Sequence, residues 1–165
     1  MKPGSVFLWE NYPFQKDGES KNRWFVYLGE TKPDPLETDP NMINIIAPTT
    51  TALVEFYEES RERHAHPHIK FEPLPKMGFT HVCILDLFYS PESSSRAVFQ
   101  KYIDRGEIQV KGAISEGFLR EIYEKICSPS SNTAYSQKLK LDIYHNLNAI
   151  GITGLSRPER NRRKR

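Results

Sequence analysis

Side chains suited to phosphate chemistry stand at the start of one apolar run of this sequence and at the end of another. Arg23 follows Lys21 and Asn22 and opens the run from Trp24 to Leu28. The planar fork of a guanidinium matches the oxygens of a phosphodiester, and a rigid strand end would hold it in place. An exposed charge without a chemical role is the alternative interpretation of Arg23.

Three threonines, Thr49, Thr50 and Thr51, come directly after the apolar run Met42–Ala47 and Pro48. A hydroxyl at the point where a strand leaves the core can contact a phosphate oxygen. Threonines also end strands without any function, since their hydroxyls hydrogen-bond to the turn that follows. Neither the arginine nor the threonines are diagnostic by themselves.

A third group, His64, His66 and His68, has the alternate spacing that places three imidazoles on one face of a strand, where they could bind a metal ion. The same face continues to Lys70 and Glu72, so the alternation predicts a solvated face. A proline within the segment also interrupts regular strand pairing. The histidines are therefore predicted to form a charged surface turn rather than a metal site.

Other catalytic and cofactor motifs are absent from the sequence. It has no Gly-rich phosphate loop, no dinucleotide-binding pattern and no GxSxG nucleophile motif. Cys83 and Cys127 cannot supply the paired cysteines of a zinc site or a disulfide framework, and no cofactor is predicted. The sequence predicts a cytoplasmic protein with reduced thiols. It lacks an apolar stretch long enough to cross a bilayer, and its N-terminus lacks the apolar region of a secretory signal.

Composition and charge indicate one folded domain, or one domain with a short appendage. The 165 residues are 38% hydrophobic and 27% charged, which suits a chain with a core. Residues 157–165 carry six positive charges and one negative, so the formal charge of +2 leaves −3 for the first 156 residues. The body is therefore not a general binder of nucleic acid. The basic tail either adds salt-sensitive phosphate contacts or is a solubilising, disordered end.

The elements that must position these residues are mainly strands in the first half and helices in the second. Apolar runs rich in β-branched and aromatic residues predict the strands. These runs are Ser5–Asn11, Arg23–Gly29, Met42–Ala47 and Thr80–Tyr89, the last as a central strand, with further strand material between Leu53 and Leu74 and a short strand within Glu107–Ile114.

Apolar residues recur at helical spacing after Pro91. They predict three helices. The first covers Ser93–Asp104, with Val98, Tyr102 and Ile103 on one face. The second begins at an N-cap, Ser115, and has an apolar stripe of Phe118, Leu119, Ile122, Tyr123 and Ile126, and the third lies around Leu139, Ile143, Leu147 and Ile150. Strands followed by helices, without βαβ alternation, predict an α+β fold with a mainly antiparallel sheet. That sheet is either a small barrel or strongly bent, with helices packed on it.

The order of these pieces resembles the MazF/PemK toxin family over about Lys2–Cys127. The resemblance rests on the N-terminal strand with its Pro-Phe loop, an arginine before the second strand, threonines after the third, a later strand with an acidic end, and a helix. In this sequence these are Gly4–Glu10 with Tyr12–Phe14, Arg23 before Trp24–Leu28, Ile43–Pro48 before Thr49–Thr51, Val82–Asp86, and Ser115–Ile126.

The sequence also departs from the family pattern. Ser5 replaces the usual acidic residue, Trp24 the proline after the arginine, and Leu87 the glutamine after the late acidic residue. The segment Ser90–Asp104 resembles an inserted helix, and everything after Ser128 is additional. We therefore predict a barrel domain over residues 1–127 with a helical insertion at about 91–105, a helical extension over 128–155 and a basic disordered tail over 156–165.

The resemblance implies an SH3-like antiparallel β-barrel with C-terminal helices packed against it, and a homodimer that holds single-stranded RNA in an interface groove. Members are metal-independent, sequence-specific endoribonucleases restrained by a cognate antitoxin protein. The RNA 2′-OH attacks the adjacent phosphate and leaves a 2′,3′-cyclic phosphate. Arg23 and Thr50 are the implied catalytic residues, and the implied RNA-binding residues are Lys16, Lys21, Trp24, Thr49 and Thr51.

Two expectations accompany this function. Aromatic side chains near the groove are candidates for stacking on unpaired bases, although ordinary core packing is the stronger expectation for Trp9; these aromatics are Trp9, Tyr12, Phe14 and Trp24. Turnover is expected to be slow, because no histidine is clearly placed as a base. The alternative function is a non-catalytic SH3-like module that binds protein or nucleic acid.

Overall fold

Seven strands and three helices make up the regular structure of residues 1–14, 20–32 and 43–159, which the computed structural model describes. The fold is α+β, as predicted. The strands are β1 Ser5–Tyr12, β2 Lys21–Thr31, β3 Ile43–Thr50, β4 His68–Phe71, β5 Cys83–Asp86, β6 Glu92–Ser95 and β7 Ile108–Ala113, and the helices are α1 Arg96–Asp104, α2 Glu116–Cys127 and α3 Gln137–Ala149. The predicted RNA-binding residue Lys16 and the tail residues 160–165 lie outside the described residues.

The sheet is antiparallel throughout, with strand order β4-β5-β3-β2-β1-β7, and β6 also pairs with β3. Strand β3 lies at its centre. The first part of β3 pairs with β2 and β6, whereas Thr49 and Thr50 at its end pair with Leu85 and Ile84 of β5. Strand β3 changes partners near Pro48. The segment Thr80–Tyr89, predicted as a central strand, contributes the shorter strand β5, which lies between the edge strand β4 and β3.

The sheet is not closed into a barrel within the described residues, since its end strands β4 and β7 do not pair with each other. A 3₁₀ turn at Pro75–Met77 packs against β7 instead. Gly112 of β7 permits this approach, because a Cβ there would lie only 2.6 Å from the backbone nitrogen of Gly78. The barrel expected from the family resemblance is therefore observed here as a bent, open sheet.

The two faces of the sheet carry two separate hydrophobic clusters. In β2, Val26 and Leu28 point to one cluster, whereas Phe25 and Tyr27 point to the other, as the two-residue period of a strand requires. Helices α2 and α3 cover the first face, and α1 covers the second. Phe7 and Trp9 of β1 complete the second cluster, and both are fully buried.

Helix α2 has the predicted start and the predicted buried stripe. The Ser115 hydroxyl accepts a hydrogen bond from the Phe118 backbone nitrogen, and four residues of the stripe are buried: Leu119, Ile122, Tyr123 and Ile126. This cap and the apolar stripe explain why the helix begins and packs as it does.

The helix predicted over Ser93–Asp104 begins later than expected. Residues Glu92–Ser95 form β6, and Ser95 caps α1, its hydroxyl accepting from the Val98 backbone nitrogen. Val98 is exposed, and the residue that α1 buries is Phe99. Pairing with the first part of β3 explains the error, because three serines in a row have no strand propensity of their own.

Helix α3 lies across β2 and shares the core of the first face. The helix predicted around Leu139, Ile143, Leu147 and Ile150 is present as α3. Its Ile143 and Leu147 are buried, whereas Ile150 is exposed and Ile152 beyond the helix is buried. Gly29 permits the crossing: its φ is +116°, and a Cβ at this position would lie 2.7 Å from the Cβ of Asn146. The Asn146 side-chain amide donates to the backbone oxygen of the neighbouring Glu30, at 2.9 Å.

Strand structure occupies less of the segment between Leu53 and Leu74 than predicted. Val54–Tyr57 is a single 3₁₀ turn, and only His68–Phe71 is a strand. Further along the chain, the Ser156 carbonyl accepts a hydrogen bond from the Tyr123 hydroxyl at 2.5 Å. The prediction of a disordered tail from residue 156 includes this residue, and its last six residues lie outside the described ranges.

Candidate nucleic-acid interface

Arg23 and Thr50 lie on the same face of the bent sheet. Phe25 of β2 pairs directly with Pro48 of β3, so both point to the second face. Arg23 lies two residues before Phe25, and Thr50 lies two residues after Pro48. Because side chains alternate between the faces of a strand and the two strands are antiparallel, Arg23 and Thr50 lie on this face at the same end of the β2–β3 pair. Both side chains are half-buried. The β2–β3 register thus brings together the two residues that the resemblance implied as catalytic.

Thr49 and Trp24 point to the opposite face. The Thr49 hydroxyl donates to the Trp24 backbone oxygen at 3.3 Å, and it also hydrogen-bonds to the buried Cys83 thiol. Trp24 packs half-buried against the first cluster. Thr51 is exposed beyond the end of β3, and Lys21 is exposed at the first position of β2. Of the three threonines, Thr50 is therefore the one that shares a face with Arg23.

Arg23 lies beside a buried tyrosine and a carboxylate. Its guanidinium carbon is 5.9 Å from the centre of the Tyr12 ring, a cation–π arrangement. The Tyr12 hydroxyl hydrogen-bonds to Glu92 of β6. Burial and the negative charge of Glu92 raise the pKa of Tyr12, and the positive charge of Arg23 opposes the rise. Tyr12 is therefore neutral near pH 7, and the Arg23 guanidinium lies over an uncharged phenol ring rather than a phenolate.

The candidate aromatic residues differ greatly in exposure. Trp9 is fully buried and Tyr12 is 1% exposed, so neither ring presents a face to a base. Phe14 is 49% exposed, and its ring centre lies 5.6 Å from that of Tyr12. Phe14 and Arg23 therefore flank the same tyrosine, an exposed ring beside a cation. This is the combination used to hold unpaired nucleotides.

A second polar group on this face is centred on Asp86, which ends β5 two residues after Ile84. Its Oδ2 accepts from the Tyr57 hydroxyl at 2.6 Å and lies 3.0 Å from His66 Nδ1, and its Oδ1 accepts from the Phe88 backbone nitrogen at 2.8 Å. Burial, followed by the hydrogen bond to Asp86, raises the pKa of Tyr57 to about 12. Asp86 thus has hydrogen-bonding partners in three different segments.

The histidines form only part of the charged surface turn that the sequence predicted: His64 is exposed in the turn segment before β4, whereas His66 and His68 are half-buried. The alternation holds for His68 and Lys70 in β4, which share the Asp86 face, but β4 begins only at His68. His66 precedes the strand, is 16% exposed, and stacks on Phe88 with ring centres 4.1 Å apart. The prediction of a solvated position was therefore wrong for His66, whose ring is mostly covered and lies against Asp86.

Sequence reasoning missed the Asp86–His66–Tyr57 and Tyr12–Glu92 contacts. Asp86 and His66 are 20 residues apart, and Tyr57 is 29 residues from Asp86. The available signals were an acidic residue at a strand end and a cluster of histidines. Each signal was interpreted within its own segment, whereas the contacts between these residues form only when the sheet brings the segments together.

Comparison with protein-family models, with curated proteins and with solved structures found no match to this chain. In the described ranges, no group of three or more histidine, cysteine, aspartate or glutamate side chains is arranged to hold a metal ion. None of the helices in this part of the chain is long and apolar enough to cross a membrane.

Proposed function

We propose that the protein is a metal-independent endoribonuclease of the MazF/PemK type that cleaves single-stranded RNA at the Arg23–Thr50 face. The observation that carries the proposal is the shared face of these two side chains at the point where β3 changes partners from β2 to β5. A guanidinium and a hydroxyl on rigid neighbouring strands can donate to different oxygens of one phosphate.

The reaction needs few groups from the protein, because the RNA supplies its own nucleophile. The 2′-OH attacks the adjacent phosphorus in line, the bond to the 5′-oxygen breaks, and a 2′,3′-cyclic phosphate results. Arg23 donates to the oxygens that gain charge in the transition state, and Thr50 hydrogen-bonds to a non-bridging oxygen. Positioning and charge stabilisation of this kind supply most of the rate enhancement in phosphoryl transfer.

Phe14 supports single-stranded RNA as the substrate. An exposed aromatic ring next to a cation stacks on an unpaired base while the cation holds the phosphate backbone. Lys21, exposed where β2 begins, adds a charge at the same end of the sheet as Arg23. A paired duplex would not present a free base to this ring.

The proposal also includes an SH3-like barrel, a homodimer, an antitoxin partner and a cytoplasmic location. The bent sheet in which β3 pairs on one side with β2 and on the other with β5 and β6 is compatible with an SH3-like barrel open between β4 and β7. A homodimer that holds the RNA, an antitoxin protein as a second partner and a place in the cytoplasm follow from the family resemblance.

One observation favours the alternative, a non-catalytic module that binds protein or nucleic acid. Arg23 lies over Tyr12, whose hydroxyl is bound to the Glu92 carboxylate, so the guanidinium already has a structural setting within the protein. A binding module would use the same face without cleaving the RNA.

The experiment that separates the two functions is incubation of the purified protein with a long single-stranded RNA in EDTA, followed by analysis of the fragment ends. The endoribonuclease produces discrete cuts with 2′,3′-cyclic phosphate and 5′-hydroxyl ends. An otherwise identical DNA, which lacks the 2′-OH, stays intact. Folded protein free of inhibitor that leaves the RNA intact would refute the proposal and favour the binding module.

A further inference from the structure

We infer that His66 is the general base of this face, held in place by Asp86, so that it removes the proton from the 2′-OH of the RNA. The inference rests on the proposed function, and it adds a residue that neither the strand pattern nor the family resemblance assigns. Arg23 and Thr50 alone provide donors for a phosphate but no group that accepts a proton.

The contacts of His66 fix the orientation of its ring. Asp86 lies 3.0 Å from Nδ1, and Phe88 stacks on one ring face at 4.1 Å with 8° between the planes. Tyr89 contacts the ring edge-on with the centres 5.8 Å apart. Two aromatic rings and a carboxylate therefore hold the imidazole in one orientation, as suits a general base, which must be positioned within reach of the proton it removes.

The hydrogen bond to Asp86 also determines which nitrogen can act. Asp86 accepts donors from Tyr57 and Phe88 as well, so its carboxylate is a pure acceptor, and His66 must donate to it from Nδ1. In the neutral ring the other nitrogen, Nε2, then carries the lone pair. Among the described residues Nε2 has no hydrogen-bond partner.

Asp86 places this histidine next to the phosphate site. Thr50 pairs with Ile84, and Asp86 follows Ile84 by two residues on the same face of β5. A two-residue step along a strand covers about 7 Å, so Asp86 lies diagonally across from Thr50 on the neighbouring strand. A phosphate held by Arg23 and Thr50 can therefore present its neighbouring 2′-OH toward the Asp86–His66 pair.

The step balances without a metal ion or a co-reactant. Neutral His66 takes the 2′-OH proton on Nε2 as the bond between the 2′-oxygen and phosphorus forms, and the Asp86 carboxylate stabilises the resulting imidazolium. The bond to the 5′-oxygen breaks, its electron pair stays on that oxygen, and a solvent proton completes the 5′-hydroxyl. His66 then returns its proton to solvent. Arg23 stays protonated throughout.

The test measures single-turnover RNA cleavage against pH for the wild type, for His66→Gln and for His66→Ala. A general base acts only while it is unprotonated, so wild-type cleavage should rise with pH as His66 loses its proton. The charged and titratable groups that face His66 or its network are Asp86, Arg63, Tyr57, His68 and Tyr89.

His66→Gln should lower the rate on the order of 10²-fold or more and remove the rise with pH. Added imidazole should restore cleavage by His66→Ala, an effect that a merely structural role of His66 would not produce. His145→Gln is the matched control, because His145 is exposed on α3, across the sheet from this face. This variant should behave as the wild type does.

The outcomes separate the inference from the function on which it rests. If the wild type cleaves and Arg23→Ala does not, while His66→Gln keeps the wild-type rate and pH profile, the inference is overturned and the endoribonuclease stands. Loss of cleavage in folded His66→Ala without any rescue by imidazole also overturns it. Absence of cleavage by the wild type at every pH overturns both.

Discussion

Replacing Gly29 with alanine tests how the C-terminal helix is joined to the sheet that carries Arg23. Gly29 lies at an irregularity in the β2–β3 register with a φ of +116°, and an added Cβ would lie 2.7 Å from the Cβ of Asn146 in α3. Backbone strain of this kind costs about 1–3 kcal/mol. The displaced helix would also lose the bond from Asn146 to the Glu30 oxygen, worth about 1 kcal/mol.

Alanine restricts the unfolded chain, which offsets about 0.4–1 kcal/mol of this loss. The expected change in the free energy of unfolding for Gly29→Ala is therefore about 2 kcal/mol. Urea denaturation followed by tryptophan fluorescence measures it, since Trp9 is fully buried. With a slope of about 2 kcal/mol per molar urea, the midpoint should fall by about 1 M.

Gly106→Ala is the matched control for the strain alone. Gly106 also has a positive φ, +75°, but a Cβ there would meet no atom within 4 Å. Its loss should be about 1 kcal/mol, so the difference between the two variants measures the contact with α3. Equal losses for Gly29→Ala and Gly106→Ala would refute the close packing of α3 on β2.

Three further predictions concern the aromatic, thiol and phenol groups. Phe14→Ala should weaken binding of a non-cleavable single-stranded oligonucleotide, measured by fluorescence anisotropy, by about 1–3 kcal/mol for one lost base stack; unchanged affinity would remove Phe14 from the interface. Burial raises the pKa of the Cys83 thiol to about 12, so iodoacetamide at pH 8 should label it only after unfolding, and labelling of the native protein would contradict its burial. The folded state holds the Tyr57 proton more tightly than the unfolded chain, whose phenol has a pKa of about 10. The stability from this phenol is therefore complete below pH 10 and is lost as the pH rises toward 12. Urea midpoints measured from pH 8 to 11 should fall above pH 10, and less in Tyr57→Phe; an identical fall in both proteins would argue against the role of Tyr57.

The strongly patterned elements of the fold could be predicted from the sequence. Strands β1 and β2 followed from their β-branched and aromatic residues, and α2 followed from the Ser115 cap and the stripe that ends at Ile126. In these segments local preference and tertiary burial agree. The predicted strand ends were less accurate: β2 begins two residues before Arg23, at Lys21, and β3 continues past Ala47 through Thr50.

The remaining errors arise where tertiary contacts override local preference. Strand β6 is built from serines that gain their strand structure by pairing with β3. In the open sheet, the turn at Met77 packs closely against Gly112. No sequence pattern links these two residues, so their contact could not be predicted. His66 joins Asp86 only because the segment before β4 folds over β5, and alternation within that segment cannot reveal which residues cover it.

The central claim is that Arg23 on this face of the sheet acts on a phosphate of RNA, and the rate of RNA cleavage by Arg23→Ala tests it most directly. Arg105→Ala is the reference, because Arg105 lies 5.9 Å from the Tyr102 ring centre, the same distance that separates Arg23 from Tyr12. Loss of a donor to a developing negative charge should slow single-turnover cleavage by Arg23→Ala on the order of 10²-fold or more. Arg105→Ala should keep the wild-type rate. Equal cleavage rates for the two folded variants would contradict the account.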